Sequence, residues 1–409
     1  MIGVGRARPA AAVRFDDTDP RPLRGSWQAL DLDSIDAEAD RPYWIAISLV
    51  PGVGGVGFAR MLERFGSARA AWAAGDELLA CLPRLPHGAK EGLARVRRHG
   101  ATGAARSVEA AVRATGGVTL TAVDREYPAA LRVADPRPPV LYRAGDPAAF
   151  VGPAVAIVGT RRATGYGRAA AQEIADELAR AGVTVVSGLA IGIDGEAHAA
   201  ALAAGGRSVA VLPSPLDRIY PPRHRQLAAR LVAGGGALLS ELAPGHNPGR
   251  PDFARRNRII AALARATVVV EAPDHSGALL TASAVVELGR ELYAVPGPID
   301  SLASRGCNRL IADHLASIVT SAAGLLTSIG LSSGVKPLGV ETLSDPEAMV
   351  LYRLINHPGS VEELLTTSEL STAELASALT LLEARGLVTS YGGATFHPTL
   401  AARRLGDAR

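Results

Sequence analysis

Arginine carries most of the chemistry open to this sequence, and it falls in clusters: Arg161, Arg162 and Arg168; Arg218, Arg223 and Arg225; Arg255, Arg256 and Arg258; Arg305 and Arg309. A guanidinium grips phosphate oxygens with two parallel N–H bonds, and clusters at successive turns suit a line of phosphates better than a single one. Between the clusters stand small polar turns: Gly159-Thr160-Arg161-Arg162, then Ser187-Gly188-Leu189-Ala190-Ile191-Gly192-Ile193-Asp194, then Ser276-Gly277 with Thr281 just beyond. Their backbone N–H groups and hydroxyls can donate to phosphate or to a base edge. A single-stranded polynucleotide fits this set best. Arg161, at the end of a strand and the start of a helix, is read as a phosphate contact. For Arg256 and Arg258 two readings stand: contact to the ligand, or pairing with Glu241, Glu271 or Asp252 to brace the fold.

Each turn needs an element on either side to hold it. Val155-Ala156-Ile157-Val158, Thr184-Val185-Val186, Ser208-Val209-Ala210-Val211-Leu212 and Val268-Val269-Val270 are short, β-branched and apolar, and each precedes a helical pattern. This alternation from about Val118 to Leu326 predicts an α/β domain with a doubly wound, mostly parallel sheet, the turns gathered at the carboxyl ends of its strands. A dinucleotide fold would carry Gly-x-Gly-x-x-Gly after its first strand and an acid at the end of its second. Gly159-Thr160-Arg161-Arg162 and Ser187-Gly188 offer neither. No Gly-Lys-Ser/Thr phosphate loop follows a strand, so nucleotide triphosphate hydrolysis is disfavoured as well. No cofactor is expected.

Two smaller constellations have the form of catalytic groups. Asp194 and His198 stand four residues apart on one helix face, but no third ligand sits at metal spacing, so a capping Asp with a packed His is the reading adopted. Ser187 and Ser276 lack the Gly-x-Ser-x-Gly elbow of a nucleophilic serine. Cys81 and Cys307 are too few and too far apart for a disulfide framework or a metal site.

The 409 residues suggest roughly two to three domains. No apolar run approaches the roughly 18 residues of a membrane span, and the arginine-bearing N-terminus lacks an apolar signal core, so a cytoplasmic protein with no membrane partner is expected. A net charge of +3 means that nucleic-acid affinity must come from local clustering. Residues 1–40 lack periodicity and are read as a disordered tail. Residues 41–110 are helical, interrupted by Leu49-Val50-Pro51-Gly52-Val53-Gly54-Gly55-Val56-Gly57. Such a turn either presents amides to a DNA phosphate, as in helix-hairpin-helix and SAM-like modules, or is an ordinary helix connection; no basic residue marks its tip. The sheet domain is placed at 118–328 and a Gly/Ser-containing linker at 329–344. A winged-helix-like module at 345–405 has helices from Met349, from Val361 and from the capping box Ser371-x-x-Glu374, and a wing of Leu387-Val388 and Thr395-Phe396. From Asp345 onward eight acidic residues face five basic ones, which disfavours duplex DNA and favours protein contact or packing.

Taken in order, Ala156-Ile157-Val158-Gly159-Thr160-Arg161, Ser187-Gly188-Leu189-Ala190-Ile191-Gly192-Ile193-Asp194, Arg255-Arg256-Asn257-Arg258-Ile259-Ile260 and Ser304-Arg305-Gly306-Cys307-Asn308-Arg309 resemble the DNA processing protein A (DprA, or Smf) family. Asp124-Arg125-Glu126-Tyr127-Pro128 and the helical N-terminal module extend the resemblance over almost the whole chain. It implies an extended Rossmann-like domain that binds single-stranded DNA, a homodimer, loading of the recombinase RecA on strands coated by single-strand-binding protein during natural transformation and recombination, and no catalysis. Three departures stand out. Ile191 replaces a pocket cation, Pro213 and Pro215 occupy a glycine-rich turn and would weaken the DNA pocket, and Ala254 replaces a proline. Two alternatives are a nucleotide-binding or nucleotide-cleaving protein of related fold and a winged-helix DNA-binding regulator. The chain lacks the Pro-Gly-Gly-x-Gly-Thr-x-x-Glu run of the related phosphoribohydrolases, and a basic recognition helix is missing.

Overall fold

The structure, a computed structural model, describes residues 26–84, 86–331, 343–356, 359–368, 370–385, 387–391 and 395–398. The chain divides into two compact units at Leu331. In the first, nine strands form one sheet: β1 (Gly117–Thr121), β2 (Val140–Gly145), β3 (Ala154–Val158), β4 (Thr184–Ser187), β5 (Ser208–Leu212), β6 (Ala237–Ser240), β7 (Ala266–Val269), β8 (Glu291–Ala294) and β9 (Ser317–Ile318). Their order is β1-β2-β6-β5-β4-β3-β7-β8-β9. The seven strands from β6 to β9 run parallel, with Ala156 opposite Val186 on one side and Thr267 on the other. The antiparallel pair β1 and β2 extends the β6 edge.

The central strands read as unbroken apolar runs because helices cover both faces; β4 and β5 are buried at every position. From β3 the chain winds outward through β4, β5 and β6, then returns to β7 on the other flank. The topological switch therefore lies between β3 and β7, where loops leave the sheet in opposite directions and open a crevice at the strand ends.

Five helices precede the sheet in the same unit: Ala37–Ser48, Gly55–Phe65, Ala68–Ala73, Ala89–Arg98 and Gly100–Ala114. Residues 1–25 of the expected tail lie outside the described residues, but residues 26–40 are structured. Trp27 is 1% exposed, stacks on Phe58 at 6.1 Å and donates from its indole to Gly55 O at 3.0 Å. A single tryptophan brings enough apolar surface to order a polar segment, a signal lost when composition is averaged over forty residues. The glycine-rich turn is packed against prolines. A Cβ on Gly55 would lie 2.9 Å from Pro136 Cβ, and one on Gly52, at φ +86°, would run into the Pro86 ring. These glycines let backbone pack against neighbouring prolines.

The second unit contains helices Asp345–Asn356, Val361–Thr367 and Thr372–Ala384 with a small sheet of β10 (Gly359–Ser360), β11 (Val388–Tyr391) and β12 (Thr395–Pro398), ordered β10-β12-β11. Ser360 with Glu363 and Ser371 with Glu374 form capping boxes, and Leu354, Leu364, Leu375 and Leu382 make the core. Antiparallel β11 and β12 are the wing. Arg385, the cation at the end of the third helix, lies 3.4 Å from Glu347. Residues 332–342 of the expected linker and 399–405 of the expected module lie outside the described residues.

Candidate nucleic-acid interface

Beyond the ends of β3 and β4 a cleft of about 560 Å³ opens to solvent. Arg161 and Arg162 enter it from the turn after β3, and Arg168 from the first turn of helix Gly165–Arg180. Arg223 comes from the short turn Pro222–His224 and Arg230 from helix Arg225–Ala233. Ile191 and Gly192 form the wall between them, and Glu196 is the acidic residue among the lining groups, accepting from Gln172 Nε2 at 2.7 Å. All five arginines are exposed. Five guanidinium groups against one carboxylate give a strongly positive concavity, in which the low-dielectric walls focus the field on an anionic ligand. Arg161 also lies over the Phe253 ring at 5.4 Å, and Tyr220 meets Phe253 edge-on at 5.7 Å. An aromatic ledge thus borders the cleft, of the kind on which bases stack.

The wall at residues 188–192 is held from beneath. Asp194 accepts backbone N–H groups of Gly188 at 3.1 Å and Ala190 at 3.3 Å, while Arg256 donates to Gly188 O and, at 2.7 Å, to Val211 O. Leu189 sits at φ +57° and Gly192 at φ +83°, so the loop carries left-handed residues that these bonds must stabilise. Burial dominates the titration of both charged partners. It pulls Arg256 down to about 10 against the attraction of Asp194, and pushes Asp194 up against the attraction of Arg256 and the amides. A Cβ on Gly188 would strike the Arg256 guanidinium, which is why a glycine follows Ser187.

Four residues of the sequence-predicted set line the cleft: Arg161, Arg162, Gly192 and Arg223. Gly159 and Thr160 lie just beneath; a Cβ on Gly159 would lie 2.5 Å from Ile193, and Thr160 N donates to Glu271 O at 2.7 Å. Most of the others are engaged within the fold. Ser187 is buried and donates to Ile157 O at 2.6 Å, Asp194 and Arg256 form the network above, and Asn257 and Thr281 are buried. Arg258 pairs with Glu241 at 2.6 Å and donates to Pro136 O at 2.9 Å, the contacts that a bracing role uses. Ser276 caps helix Gly277–Glu287, and Gly277 O accepts from Asn257. Arg225 is exposed but stands away from the cleft: on its helix Gln226, Leu227 and Arg230 share the face turned to the cleft, Arg223 joins them from the preceding turn, and residue 225 lies off that face.

Sequence reasoning missed Arg230 and Phe253. The spacing 223, 226, 227, 230 was a legible one-face signal for Arg230, while nothing local marks Phe253, which meets Arg161 only through the fold. Pro213 and Pro215 are buried and do not line the cleft, so they remove no donor from it; Ile191 does line it. His198 is buried, bonded through Nδ1 to Ser208 Oγ at 2.7 Å, and burial pulls it down to about 3. Ser208 donates its proton to Val185 O, so Nδ1 carries the hydrogen and the ring is neutral. It forms no pair with Asp194. Among the described residues no group of three or more His, Cys, Asp or Glu could hold a metal ion, and no helix is long and apolar enough to cross a membrane.

Fold and cleft define a class: an extended Rossmann-like α/β protein with an arginine-lined cleft at the carboxyl ends of its strands, followed by a winged-helix module. The comparisons with known proteins agree. Residues 118–330 match the family model described as DNA recombination-mediator protein A, and residues 336–394 match the DprA winged helix domain. Protein Smf of Synechocystis is 32% identical over 398 residues, 87% of this chain and 98% of the relative. DNA processing protein DprA of Bacillus subtilis is 40% identical over 193 residues, 47% of this chain and 65% of that one. The X-ray structure of DNA processing protein A from Streptococcus pneumoniae superposes with a TM-score of 0.58 at 28% identity, covering 70% of this chain and 97% of that one. The chain belongs to the DprA/Smf family of DNA recombination-mediator proteins.

Proposed function

We propose that this protein binds single-stranded DNA in the arginine cleft and acts as a non-catalytic recombination mediator that loads RecA on strands covered by single-strand-binding protein. The observation that carries the reading is the cleft itself: five exposed arginines and one carboxylate around a trough open to solvent, with an aromatic ledge at its border. Such a trough follows a flexible backbone and tolerates any sequence. The recombinase step is supported by family membership and by nothing in the cleft's geometry; a homodimer, which would bring two strands together and raise their effective concentration, has the same support. Against a nucleotide-cleaving reading stands the absence from the sequence of the Pro-Gly-Gly-x-Gly-Thr-x-x-Glu run of the related phosphoribohydrolases. The acidic winged-helix module gives a duplex regulator no basic recognition helix.

The test compares a labelled oligothymidylate with duplex of equal length across a salt series. Single strand is preferred, and with about four phosphates neutralised the log–log slope is near about −3. Equal affinity for duplex, or a flat salt response, overturns the reading. RecA-dependent strand exchange, with and without the protein, then tests the mediator step.

A further inference from the structure

The switch point between β3 and β7 is where open α/β sheets seat anionic ligands, at the start of the helix that follows the first strand. Here that helix is Gly165–Arg180, sixteen residues long with no acidic residue in its first turn. The seat is filled from inside the chain. Glu271, which follows β7 and is 2% exposed, accepts Thr164 N at 2.8 Å through one carboxylate oxygen and the Thr164 hydroxyl at 2.6 Å through the other. Among the described residues it makes no ion pair, so its buried charge is balanced by these donors and by the helix's positive end.

The closeness of this contact accounts for nearby glycines. A Cβ on Gly167 would lie 2.6 Å from the Glu271 carboxylate, and one on Gly159 would lie 2.9 Å from the Glu271 carbonyl oxygen. That same carbonyl accepts Thr160 N at 2.7 Å. Thr160 and Thr164 are therefore both anchored on one residue, and Arg161 and Arg162 lie between the two anchors. Thr160 O in turn accepts Ile193 N at 3.2 Å, which ties the turn to the Ile191–Gly192 wall of the cleft.

We propose that Glu271 is a positioning residue for the arginine cleft: its carboxylate takes the place of a bound phosphate at the switch point and so fixes the turn that presents Arg161 and Arg162 outward. The inference has a structural part, the occupied anion seat, and a binding part that rests on the single-strand reading. Simple electrostatics makes the opposite forecast for binding. A carboxylate beneath a polyanion cleft should repel the ligand, and its removal should tighten binding; a positioning role requires its removal to weaken binding.

The experiment uses the full chain, with Glu271→Ala, Glu271→Gln and Gly167→Ala. Glutamine keeps an acceptor for Thr164 and loses the charge; alanine at 167 leaves Glu271 in place and presses on its carboxylate. Affinity for labelled oligothymidylate is expected to fall about tenfold in E271A, to fall in the same direction in G167A, and to stay within about threefold of the parent in E271Q. Sodium formate, against chloride at equal ionic strength, should restore binding by E271A and raise its melting temperature, while leaving the parent and E271Q unmoved. A melting temperature of E271A that ignores formate overturns the occupied seat, whatever the DNA result. E271A or G167A binding as tightly as the parent overturns the positioning role. If the parent fails to bind the oligonucleotide, the single-strand reading falls and the positioning role with it, and the formate melt still decides whether the carboxylate occupies an anion seat.

Discussion

Arg161, Arg162, Arg168, Arg223 and Arg230 stand exposed around the cleft, whereas Arg256 and Arg258, on helix Arg250–Leu263, turn inward and direct their hydrogen bonds to main-chain and carboxylate oxygens. Both groups belong to motifs that look alike in sequence. What separates them is what the fold places at the guanidinium. After β3 the chain runs out at the sheet edge and its arginines meet solvent; inside helix Arg250–Leu263 the same side chain meets Gly188 O and Val211 O, within the electrostatic reach of Asp194. The exposed group is available to a ligand. The buried group shapes the wall the ligand would touch.

The sharpest way to break this division is Arg256→Ala. It removes donors from two buried carbonyls, each costing about 1–3 kcal/mol when left unsatisfied, so a loss of about 2–5 kcal/mol in stability is expected. Urea unfolding followed by circular dichroism measures it. A loss under about 1 kcal/mol, with DNA affinity reduced instead, would move Arg256 to the ligand-binding group.

Arg161→Ala should do the reverse. Removing one charge-assisted phosphate contact costs about 1.5–3 kcal/mol in single-strand affinity. The melting temperature should stay near the parent's, because the side chain is exposed and its ring contact with Phe253 is a minor contribution at a surface site. Anisotropy titration at fixed salt, paired with a thermal melt, reads both. Native affinity with a lowered melting temperature would place Arg161 with the braces.

Much of this division was not legible in the sequence, for a physical reason. The parallel sheet was readable because β-branched runs buried on both faces alternate with helical patterns, and the turns at their ends were readable because glycine and small polar residues mark them. Arg161 was placed by the same logic, as the first side chain past a strand. Arg256, Asn257, Ser187 and Thr281 were not, since burial of a polar side chain depends on partners far along the chain: Gly188 lies 68 residues from Arg256 and Val211 lies 45 away. Local spacing has no access to such pairs. Trp27 failed for the opposite reason, one strongly apolar residue inside a polar average.

A gentler probe of the buried side is acid. His198 is held neutral, its value pulled from 6.5 to about 3 by burial, with the nearby charges of His224 and Arg256 adding to the effect. Below pH 6.5 the unfolded chain takes up a proton there that the folded chain refuses, so stability falls with falling pH, by up to about 1.4 kcal/mol per unit, until the folded value near 3 is reached. Chemical denaturation at successive pH values should show this slope. His198→Asn, which keeps a donor toward Ser208, should flatten it; an unchanged slope would show that another group carries it.

The smallest effect is expected from the other unit. Its third helix offers Glu374 and Glu383 to solvent, and Arg385 at its end is engaged with Glu347, so it has no cation to offer a phosphate there. The described residues of the first unit, 26–331, have their own core, and the residues lining the cleft all fall within 161–230. A chain ending after Gly330 should therefore bind single-stranded DNA within about twofold of the full protein, a difference under about 0.4 kcal/mol. Its salt slope should be unchanged, because the slope counts the phosphates neutralised and every arginine of the cleft is retained. A loss of affinity with a shallower slope would mean that the C-terminal module supplies phosphate contacts. A loss with an unchanged slope would mean that it acts through uncharged contacts or through assembly, which sedimentation of the truncated chain would separate.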